Sequence, residues 1–563
     1  MIDPEVYSPY APGPRAVADK PTRARLESIA PASHAGLAGW LAGLSDVRLT
    51  ALTASALFVL SAWPLLLVDL PPFQDLPNHV ATAHIIEHPE LFPQFAFNGF
   101  FKSNCLLTLW FHLFGDHRLL LAARLFTALA IGVNALALPL FFRHFAGRRA
   151  MVTAMLFTWP LVHGFFVSMG FLNYVVAFGL SLILLIVMDR QRQQPTWGRG
   201  AGIAALSGVI WYAHLFPLVV IGALAAWDAL KRPDWRTRLR AGTALLLPLV
   251  PAGLLSLMAA QHHLIKSERA PAFFYPLVSY QNVWDLVGHL WRDVSGALTR
   301  WGSMSLVPAL LLPLFAWRGR QTGRPLFTRG ALAALAVAYV ALPVMMSNWC
   351  YLNCRLVPFI WIGLALCLPA ALPRRLPAVL VACALSFSLV LGIDYVRVAR
   401  DSRELTAGLD AVPRGATLMP LLFKRKKTAD FEASLAHAWG PYTTERDAMI
   451  PLVFAVERSY PITWAKFPPR KTIPPTFDQF AERYATPAQT CQALGQPAVD
   501  DACTAAWHQV WDGLWKEVEP RYTHLLTWAI PDAARPLIPP AYHRTFAAGD
   551  LEIYARESNP RGL

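Results

Sequence analysis

Long uncharged runs of hydrophobic residues, separated by short basic segments, fill most of the chain up to residue 395. In a bilayer, backbone polar groups must be satisfied within the spanning segment, so each crossing needs a helix of about 20 apolar residues. The pattern therefore predicts a polytopic all-α membrane protein with about eleven transmembrane helices. The runs lie near 49–69, 118–142, 150–168, 171–188, 199–213, 215–230, 241–261, 303–317, 329–346, 356–372 and 376–395.

The basic residues alternate from loop to loop and predict the orientation. Lys and Arg gather near 143–149, 190–199, 231–240, 318–329 and 374–375, and cytoplasmic loops are enriched in these residues. These loops and the N-terminus are therefore predicted to be cytoplasmic, and the chain after residue 396 periplasmic. The weakest point is 199–230, which must form two helices around Trp211 and His214. A single helix there would place the later basic loops outside, so the charges favour a hairpin.

Composition agrees with a membrane protein, since 55% of the residues are hydrophobic, 15% are charged and the mean hydropathy is +0.37. The net charge of +14 does not indicate nucleic-acid binding, because most Lys and Arg between the first and last hydrophobic runs lie in short loops. No cleavable signal peptide is predicted. We expect a bacterial inner-membrane protein, with residues 1–47 as a cytoplasmic tail and 48–396 as the transmembrane domain.

Residues 397–563 differ in character and predict a small periplasmic α/β domain. Short runs typical of strands occur at 416–422, 450–455, 522–528, 544–548 and 551–555, with helices predicted near 398–410, 478–485 and 501–517. Cys491 and Cys503 lie on the predicted oxidising side of the membrane and form a candidate disulfide. Cys350 and Cys354 could also pair, or remain as two thiols.

The densest group of ionisable residues beside a predicted helix end follows the first hydrophobic run. It begins with Asp75, Asn78 and His79, in a loop that contains three prolines. A carboxylate held at the membrane surface in a stiff loop can act as a general base toward an acceptor hydroxyl or amine. Alternatively, Asp75 caps a short helix that starts at Leu76, with Asn78 and His79 solvated. Residue chemistry alone leaves both interpretations open.

The layout resembles the GT-C glycosyltransferases, a superfamily that includes the protein O-mannosyltransferases and the aminoarabinose transferases. The shared features are a charged N-terminus, one helix, an acidic first periplasmic loop, many short helices and a periplasmic C-terminal domain. The resemblance implies transfer of a sugar from a polyprenyl-phosphate carrier, with a catalytic Asp in that loop. The matching position is Asp75, although Gln74 precedes it where many members have a second acidic residue. This difference leaves the substrate class and the use of a divalent metal open.

Transfer from such a carrier builds negative charge on the leaving phosphate, which cationic groups would stabilise. Arg355 opens the tenth predicted helix, where the helix N-terminus also favours an anion, and it resembles the phosphate-contacting Arg residues of GT-C enzymes. Arg124 lies inside the second predicted helix, where an unpaired charge is costly, so it is expected to face the protein interior. For both residues the alternative is structural, as an interfacial anchor or an ion pair.

Two further residues complete the candidate substrate-binding set of Asn78, His79, Arg124 and Arg355. His214 lies near the outer end of a short helix, although a histidine there more often packs structurally. Lys266 begins the loop 262–302, whose aromatic residues predict helices lying in the interface over the carrier entrance. An aromatic belt is the alternative explanation of that loop.

Other cofactor chemistry is weakly represented. Residues 84–88 match the H-x-x-E-H pattern of zinc peptidases, but Pro89 follows at once and no third ligand stands out in the sequence. The sequence contains no P-loop or dinucleotide-binding glycine fingerprint, so a nucleotide-driven reaction is not expected. The sequence therefore identifies no cofactor with certainty, and a divalent metal stays open.

The leading interpretation is an inverting membrane glycosyltransferase with Asp75 as general base. Its expected partners are a polyprenyl-phosphate-sugar donor, membrane lipids and a periplasmic lipid, glycan or protein acceptor. A flippase or transporter of lipid-linked sugars is one alternative, but it normally has charged groups at mid-membrane, where Arg124 is nearly alone. A surface-polysaccharide ligase or polymerase is the other, and such enzymes rely on Arg and His in a larger periplasmic loop than 262–302.

Overall fold

The computed structural model describes residues 43–115, 118–261, 278–280, 284, 304–319, 326–346, 349–369, 371–424, 434–455, 460–465, 477–495 and 501–557. Contacts divide the chain into two compact units, Met1–Leu49 and Thr50–Leu563. Of the first unit, residues 43–49 are described, and they include the start of the first helix. The second unit contains the other helices and the strands.

The chain up to residue 405 is mainly helical where it is described. Its helices are α1 Asp46–Ala62, α2 Leu76–Glu87, α3 Leu106–Phe114, α4 Leu119–Thr158, α5 Phe165–Ser168, α6 Leu172–Gln193, α7 Trp197–Ala213, α8 Phe216–Leu230, α9 Trp235–Leu246, α10 Val250–Gln261, α11 Leu306–Arg318, α12 Arg329–Ala341, α13 Val357–Ala365 and α14 Leu376–Leu405. Short strands in this part are β1 Phe95–Phe97, β2 Val278–Ser279, β3 Met345–Met346 and β4 Trp349–Cys350. The last three form one small antiparallel sheet.

Within the described residues, five helical segments are long and apolar enough to cross a membrane. They are Asp46–Leu66, Leu119–Ser168, Leu172–Gln193, Trp235–Ala259 and Leu376–Ala411. Shorter apolar helices are Phe216–Leu230, Leu306–Arg318, Arg329–Ala341 and Cys354–Ala365. The helical membrane character agrees with the sequence, whereas the number of eleven crossings stays a prediction.

Two local breaks divide long hydrophobic stretches into separate helices. Inside α4, Gly147 has φ 81° and ψ 174°, a conformation that glycine adopts at little cost, and it separates the second and third predicted helices. His214 has extended backbone between α7 and α8, and Pro217 occupies the first turn of α8, where proline is well tolerated. The hairpin predicted within 199–230 is thus present as two helices.

The last long helix crosses the predicted domain boundary at 396/397. α14 runs from Leu376 to Leu405 without a break. The helix predicted near 398–410 is therefore not a separate element but mainly the end of α14, followed by a 3-10 turn at Leu409–Ala411. The continuation of α14 past residue 396 could not be recognised from the sequence, because charged residues replace hydrophobic ones from Arg397 onward.

The C-terminal part contains a four-stranded mixed sheet. Its further elements are β5 Leu418–Leu422, α15 Gly440–Arg446, β6 Ile462–Trp464, α16 Phe477–Arg483, α17 Pro487–Ala493, α18 Asp501–Val518, β7 His524–Trp528, β8 Tyr542–Ala548 and β9 Leu551–Arg556. The sheet has the order β5-β7-β9-β8, with β5 and β7 parallel and the other neighbours antiparallel. Strands β5 and β7 are buried throughout, which is why the sequence shows them as continuous hydrophobic runs.

A disulfide joins Cys491 in α17 to Cys503 in α18, with their Cα atoms 5.5 Å apart. This is the cysteine pair proposed from the sequence. The two helices pack beside the sheet, where Trp507 and Trp511 of α18 both donate to the carbonyl oxygen of Tyr484. The covalent bond therefore fixes the short helix α17 to a helix that belongs to the core.

One predicted strand is wrong. Residues 450–455 form turns, although the run Ile450–Ala455 has strand-like composition. The backbone of this segment forms hydrogen bonds with the side chain of Asn78 and not with a neighbouring strand. Phe454 N–H donates to Asn78 Oδ1 at 3.0 Å, and Leu452 C=O accepts from Asn78 Nδ2 at 2.9 Å. The amide of Asn78 thus takes hydrogen bonds that a neighbouring strand would otherwise take.

The helix α2 belongs to the same hydrophobic core as the C-terminal sheet. Its buried Ala81 and Ile85 pack in that core, together with Phe92 from the following turn. Strand β1 pairs antiparallel with β6, where Phe95 lies opposite Trp464. Because apolar burial is the main stabilising contribution in folding, the loop after α1 is fixed to the C-terminal part by its core and not by surface contacts alone.

Candidate active site

The loop that carries Asp75 is anchored by an aromatic side chain. Phe73 is only 1% exposed, and its ring lies edge-on to the rings of His163 and Tyr395, with centroids 6.0 and 5.7 Å away. The His163 ring in turn hydrogen-bonds through Nε2 to the Tyr395 hydroxyl at 2.8 Å. These contacts hold the loop against α14 and against the turn that follows α4.

Asp75 lies directly before α2, but its carboxylate does not cap the helix. The helix starts at Leu76, and the Asp75 side chain makes no capping hydrogen bond, so the capping alternative is wrong for the side chain. Its N–H donates to Met169 C=O at 3.1 Å. Gly170, with φ 84°, packs so closely that a Cβ atom there would lie 3.0 Å from Leu76 N. The carboxylate is 9% exposed and accepts from Gln74 Nε2 at 3.2 Å.

A histidine from the C-terminal part completes the surroundings of this carboxylate. His437 Nε2 lies 3.5 Å from Asp75 Oδ1. On the other side of the ring, His437 Nδ1 lies 3.2 Å from Asn78 Nδ2. Asn78 is fully buried, not solvated, and its amide also bonds to the backbone of Leu452 and Phe454. Two regions distant in sequence therefore meet at Asp75.

His79 lies near Asp75 and His437, and its imidazole is neutral. Its ring lies edge-on to Phe454, with centroids 5.2 Å apart. Burial lowers the pKa of His79 to about 4, although the nearby Asp75 carboxylate opposes this shift. At neutral pH this side chain can donate or accept a hydrogen bond without adding charge.

Arg355 forms the cationic part of the site. It is 7% exposed, and its Nη1 lies 2.5 Å from His214 Nε2 while Nη2 donates to Cys350 C=O at 3.1 Å. The guanidinium lies over the rings of Phe171 and Tyr174, with centroids 5.5 and 5.7 Å away. Two members of the candidate substrate-binding set, His214 and Arg355, are thus brought into contact. Their packing inside the protein does not fit a snorkelling anchor for Arg355.

Two bridges connect Asp75 to Arg355. The first is the short segment 168–171, whose Met169 accepts from Asp75 N–H and whose Phe171 ring lies under the guanidinium of Arg355. The second is an aromatic pair from the C-terminal part, because Phe454 stacks on Tyr460 at 5.2 Å. Phe454 touches His79 and His437, and Tyr460 lies within electrostatic range of Arg355.

Two residues of the predicted set do not join this group. Arg124 is partly buried in α4 and donates from Nη1 to Val68 C=O at 3.5 Å. Among the described side chains, no carboxylate forms an ion pair with it. Lys266 lies outside the described residues. Arg124 therefore supports the end of the first hydrophobic segment, and its placement gives no contact to Asp75 or Arg355.

Sequence reasoning missed His437 and Lys102. His437 stands among alanines and leaves no local signal. Lys102 is 5% exposed, and burial lowers its pKa. Its neighbour Ser103 bonds to Trp211 C=O and Leu215 N–H, so Lys102 lies beside the segment that carries His214. A signal for it existed, since Lys102 is the only Lys or Arg between residues 69 and 117 of the sequence.

The arrangement of metal-binding side chains bears on the zinc pattern at 84–88. Within the described ranges, no group of three or more His, Cys, Asp and Glu side chains is placed to hold a metal ion. His84 instead bonds through Nε2 to Asp447 Oδ1 at 3.0 Å, and His88 approaches Glu90 at 3.6 Å. The pattern serves helix docking in this structure.

Comparison with known proteins gives a structural likeness. No protein-family model and no curated protein matches the chain. Among solved structures, the chain is similar to the crystal structure of ArnT from Cupriavidus metallidurans in the apo state, with 13% sequence identity and a TM-score of 0.49. The match covers 92% of this chain and 98% of that one.

Proposed function

We propose that this protein is a membrane glycosyltransferase that moves a sugar from a polyprenyl-phosphate carrier to an acceptor on the periplasmic side of a bacterial inner membrane. The observation that carries the proposal is that a buried, rigidly held carboxylate and a buried guanidinium both contact the short segment 168–171. Asp75 and Arg355 are connected through the segment 168–171 and through Phe454 and Tyr460. Few structural roles need both groups, each costly to bury, around one aromatic pair.

In this proposal Asp75 is the general base. It takes the proton of an acceptor hydroxyl or amine while the acceptor atom attacks the anomeric carbon of the sugar. The bond between that carbon and the carrier phosphate oxygen breaks, and the carrier leaves as polyprenyl phosphate. Attack from the face opposite the phosphate inverts the anomeric centre. His79, neutral at pH 7, can hydrogen-bond to sugar or acceptor hydroxyls.

Arg355 and His214 are proposed to bind the phosphate. Phe216 N–H donates to His214 Nδ1 at 3.1 Å, so a neutral His214 carries its hydrogen on Nε2, and that hydrogen faces the Arg355 guanidinium. Arg355 Nη1 and His214 Nε2 are neighbours at 2.5 Å, so an anion bound beside them would accept from both groups. Lys102, buried near the same segment, would add a second positive group beside Arg355.

A small apolar cavity lies close to Arg355. Its volume is about 30 Å³, and it is lined mostly by hydrophobic side chains of α5, α6 and α13, among them Phe165, Phe178 and Trp361. Tyr174 belongs to its wall and donates from its hydroxyl to Arg355 C=O at 2.7 Å. Tyr174 therefore ties the wall of this cavity to the backbone of Arg355.

The substitution Asp75→Asn tests the role of the base. The probes are undecaprenyl-phosphate-linked radiolabelled hexoses and pentoses, given to the protein in nanodiscs with a membrane extract as acceptor. We expect one of these donors to be consumed, and Asp75→Asn to lower kcat by about 10²-fold or more with an unchanged melting temperature. Asp69→Asn, an exposed carboxylate in the same loop, is the matched control. Wild-type kcat in Asp75→Asn would remove the base from the proposal.

Binding of the bare carrier tests the phosphate contact without any turnover. Undecaprenyl phosphate and undecaprenol differ only in the phosphate, and their binding can be compared by native mass spectrometry. We expect Arg355→Gln to weaken the phosphate form while leaving undecaprenol unaffected. Arg375→Gln, an exposed position before α14, should change neither. Equal loss of both ligands would show a structural defect and contradict the assignment of Arg355.

A further inference from the structure

The amide of Asn78 has one permitted orientation. Its Oδ1 accepts from the backbone N–H of Phe454 at 3.0 Å, and its Nδ2 donates to the backbone C=O of Leu452 at 2.9 Å. A backbone N–H can only donate and a backbone C=O can only accept, so exchanging the amide oxygen and nitrogen would break both bonds. Because Asn78 is fully buried, water cannot replace them.

This orientation determines the tautomer of His437. The second hydrogen of Asn78 Nδ2 points at His437 Nδ1, 3.2 Å away, so Nδ1 must accept and carry no hydrogen. A neutral imidazole with a bare Nδ1 carries its hydrogen on Nε2. Nε2 lies 3.5 Å from Asp75 Oδ1. The rings of Trp439 and Phe454 lie edge-on to His437, with centroids 5.7 and 5.2 Å away, and hold the ring in this plane.

We propose that His437 is a positioning residue for Asp75, held by Asn78 as the Nε2–H tautomer so that it donates to the carboxylate and cannot protonate it. The inference rests on the proposed role of Asp75 as general base. A donated hydrogen bond favours the ionised carboxylate and fixes its direction. A hydrogen on Nδ1 would face the amide hydrogens of Asn78, so the Nε2–H tautomer is the one that fits this contact. His79 is a further titratable group near this pair, since both Asp75 and His437 act on it electrostatically.

The proposal assigns a task to the C-terminal part. His437 precedes α15 and is carried by the same core that contains α2. Asp75, the proposed base, thus receives a hydrogen-bond donor from His437, which lies most of the chain length away in sequence. In the transfer step the proton passes from the acceptor to Asp75, while His437 keeps its own hydrogen throughout.

The tautomer can be measured without any substrate. The full-length protein is labelled with ¹⁵N-histidine, reconstituted into lipid and studied by solid-state NMR at pH 7. The His437→Gln spectrum identifies the His437 signals by subtraction, and His508→Gln, at an exposed position of α18, serves as the control for subtraction. We expect a non-protonated Nδ1 and a protonated Nε2. A protonated Nδ1, in either the other tautomer or the imidazolium, would overturn the proposal whatever the enzyme does.

Turnover then tests the positioning role. His437→Phe keeps a ring between Trp439 and Phe454 but removes both nitrogens, whereas His437→Gln restores one acceptor and one donor. We expect His437→Phe to lower kcat about 10²-fold, with the KM for the undecaprenyl-phosphate-sugar donor nearly unchanged. His437→Gln should recover most of that loss. Equal kcat in the two variants would contradict positioning by hydrogen bonding, while full activity in Asp75→Asn would remove the base and leave the NMR result standing.

Discussion

His84 Nε2 lies 3.0 Å from Oδ1 of Asp447, which stands 363 residues further along the chain. Asp447 also accepts from Arg414 at 2.7 Å. The hydrogen bond from His84 ties the C-terminal end of α2 to the C-terminal part, whereas Asn78 and His437 tie its N-terminal end. The helix after Asp75 is therefore held at both ends, which keeps the carboxylate at a constant distance from His437.

Asp447→Asn should destabilise the folded protein. The hydrogen bonds from His84 and Arg414 outweigh burial and hold the pKa of Asp447 below its usual value, so the ionised form contributes to stability at pH 7. We expect a loss of about 1–3 kcal/mol, the range for a hydrogen bond to a charged group. Asn tolerates the left-handed backbone of this position, where φ is 53°, so backbone strain is not added. Chemical unfolding in detergent measures the change.

His88→Gln is the matched control for that variant. His88 lies next to the same helix end, but it is about one third exposed and faces the still more exposed Glu90. Exposed pairs contribute little to stability. If the free energy of unfolding fell as much in His88→Gln as in Asp447→Asn, any change at this helix end would destabilise the protein. The effect of Asp447→Asn could then not be assigned to the loss of the Asp447 contacts.

Acidification should destabilise the protein between pH 6.5 and about 4. Burial lowers the pKa of His79 to about 4 and lowers that of His84 despite its bond to Asp447. Both histidines therefore bind protons more readily in the unfolded chain, whose histidine pKa is about 6.5, so stability falls as pH decreases through this interval. Below about pH 4 the loss of the Asp447 carboxylate adds to the fall. Melting temperatures measured from pH 7.5 to pH 4 should show this slope, and it should be shallower in His79→Asn.

Gly440→Ala should loosen the contact between α15 and α2. A Cβ atom at this position would lie 2.6 Å from Pro77 O, a backbone atom that cannot turn aside. We expect a destabilisation of about 1–3 kcal/mol, as for overpacking in a core, and a fall in turnover because His437 moves with α15. Gly513→Ala in α18, with open space around its Cβ position, should be neutral or slightly stabilising. Equal melting temperatures for the two alanine variants would contradict the close packing.

Replacing Cys491 and Cys503 by serine should lower stability by about 3 kcal/mol, the chain-entropy value for a loop of this length. The two cysteines are 12 positions apart. When cells are lysed directly into denaturant, a maleimide reagent should modify Cys491 and Cys503 only after reduction, as expected for the proposed periplasmic side. Modification without prior reduction would place this part of the chain in a reducing compartment.

Asp75, the proposed base, could be selected from the sequence because the required signals are local. Asp75 follows a long hydrophobic helix in a loop with three prolines, and both features are visible within about thirty residues of sequence. Arg355 was likewise visible at the start of a helix. The contact between Arg355 and His214 needed the fold, since 141 positions separate them.

The rest of the site depends on contacts between distant segments. His437 has no motif around it, and its importance arises only from the ring's placement between Asn78 and Asp75. The predicted strand at 450–455 failed for a related reason, because composition cannot show that Asn78 will take the backbone hydrogen bonds of Leu452 and Phe454. Strand propensity describes a residue's own preference, and tertiary contacts override it.

The shared core of α2 and the C-terminal sheet also determines when α2 can complete its packing during protein synthesis. Leu452 emerges from the ribosome 374 residues after its partner Asn78, which corresponds to roughly 20–75 s at ordinary rates of bacterial translation. During that interval Ala81 and Ile85 lack their later neighbours from the C-terminal part, and their apolar side chains are available to membrane lipid or to chaperones. Nascent chains halted before residue 434 should therefore be sensitive to proteases at α2, and they should become resistant once the last strand has been translocated.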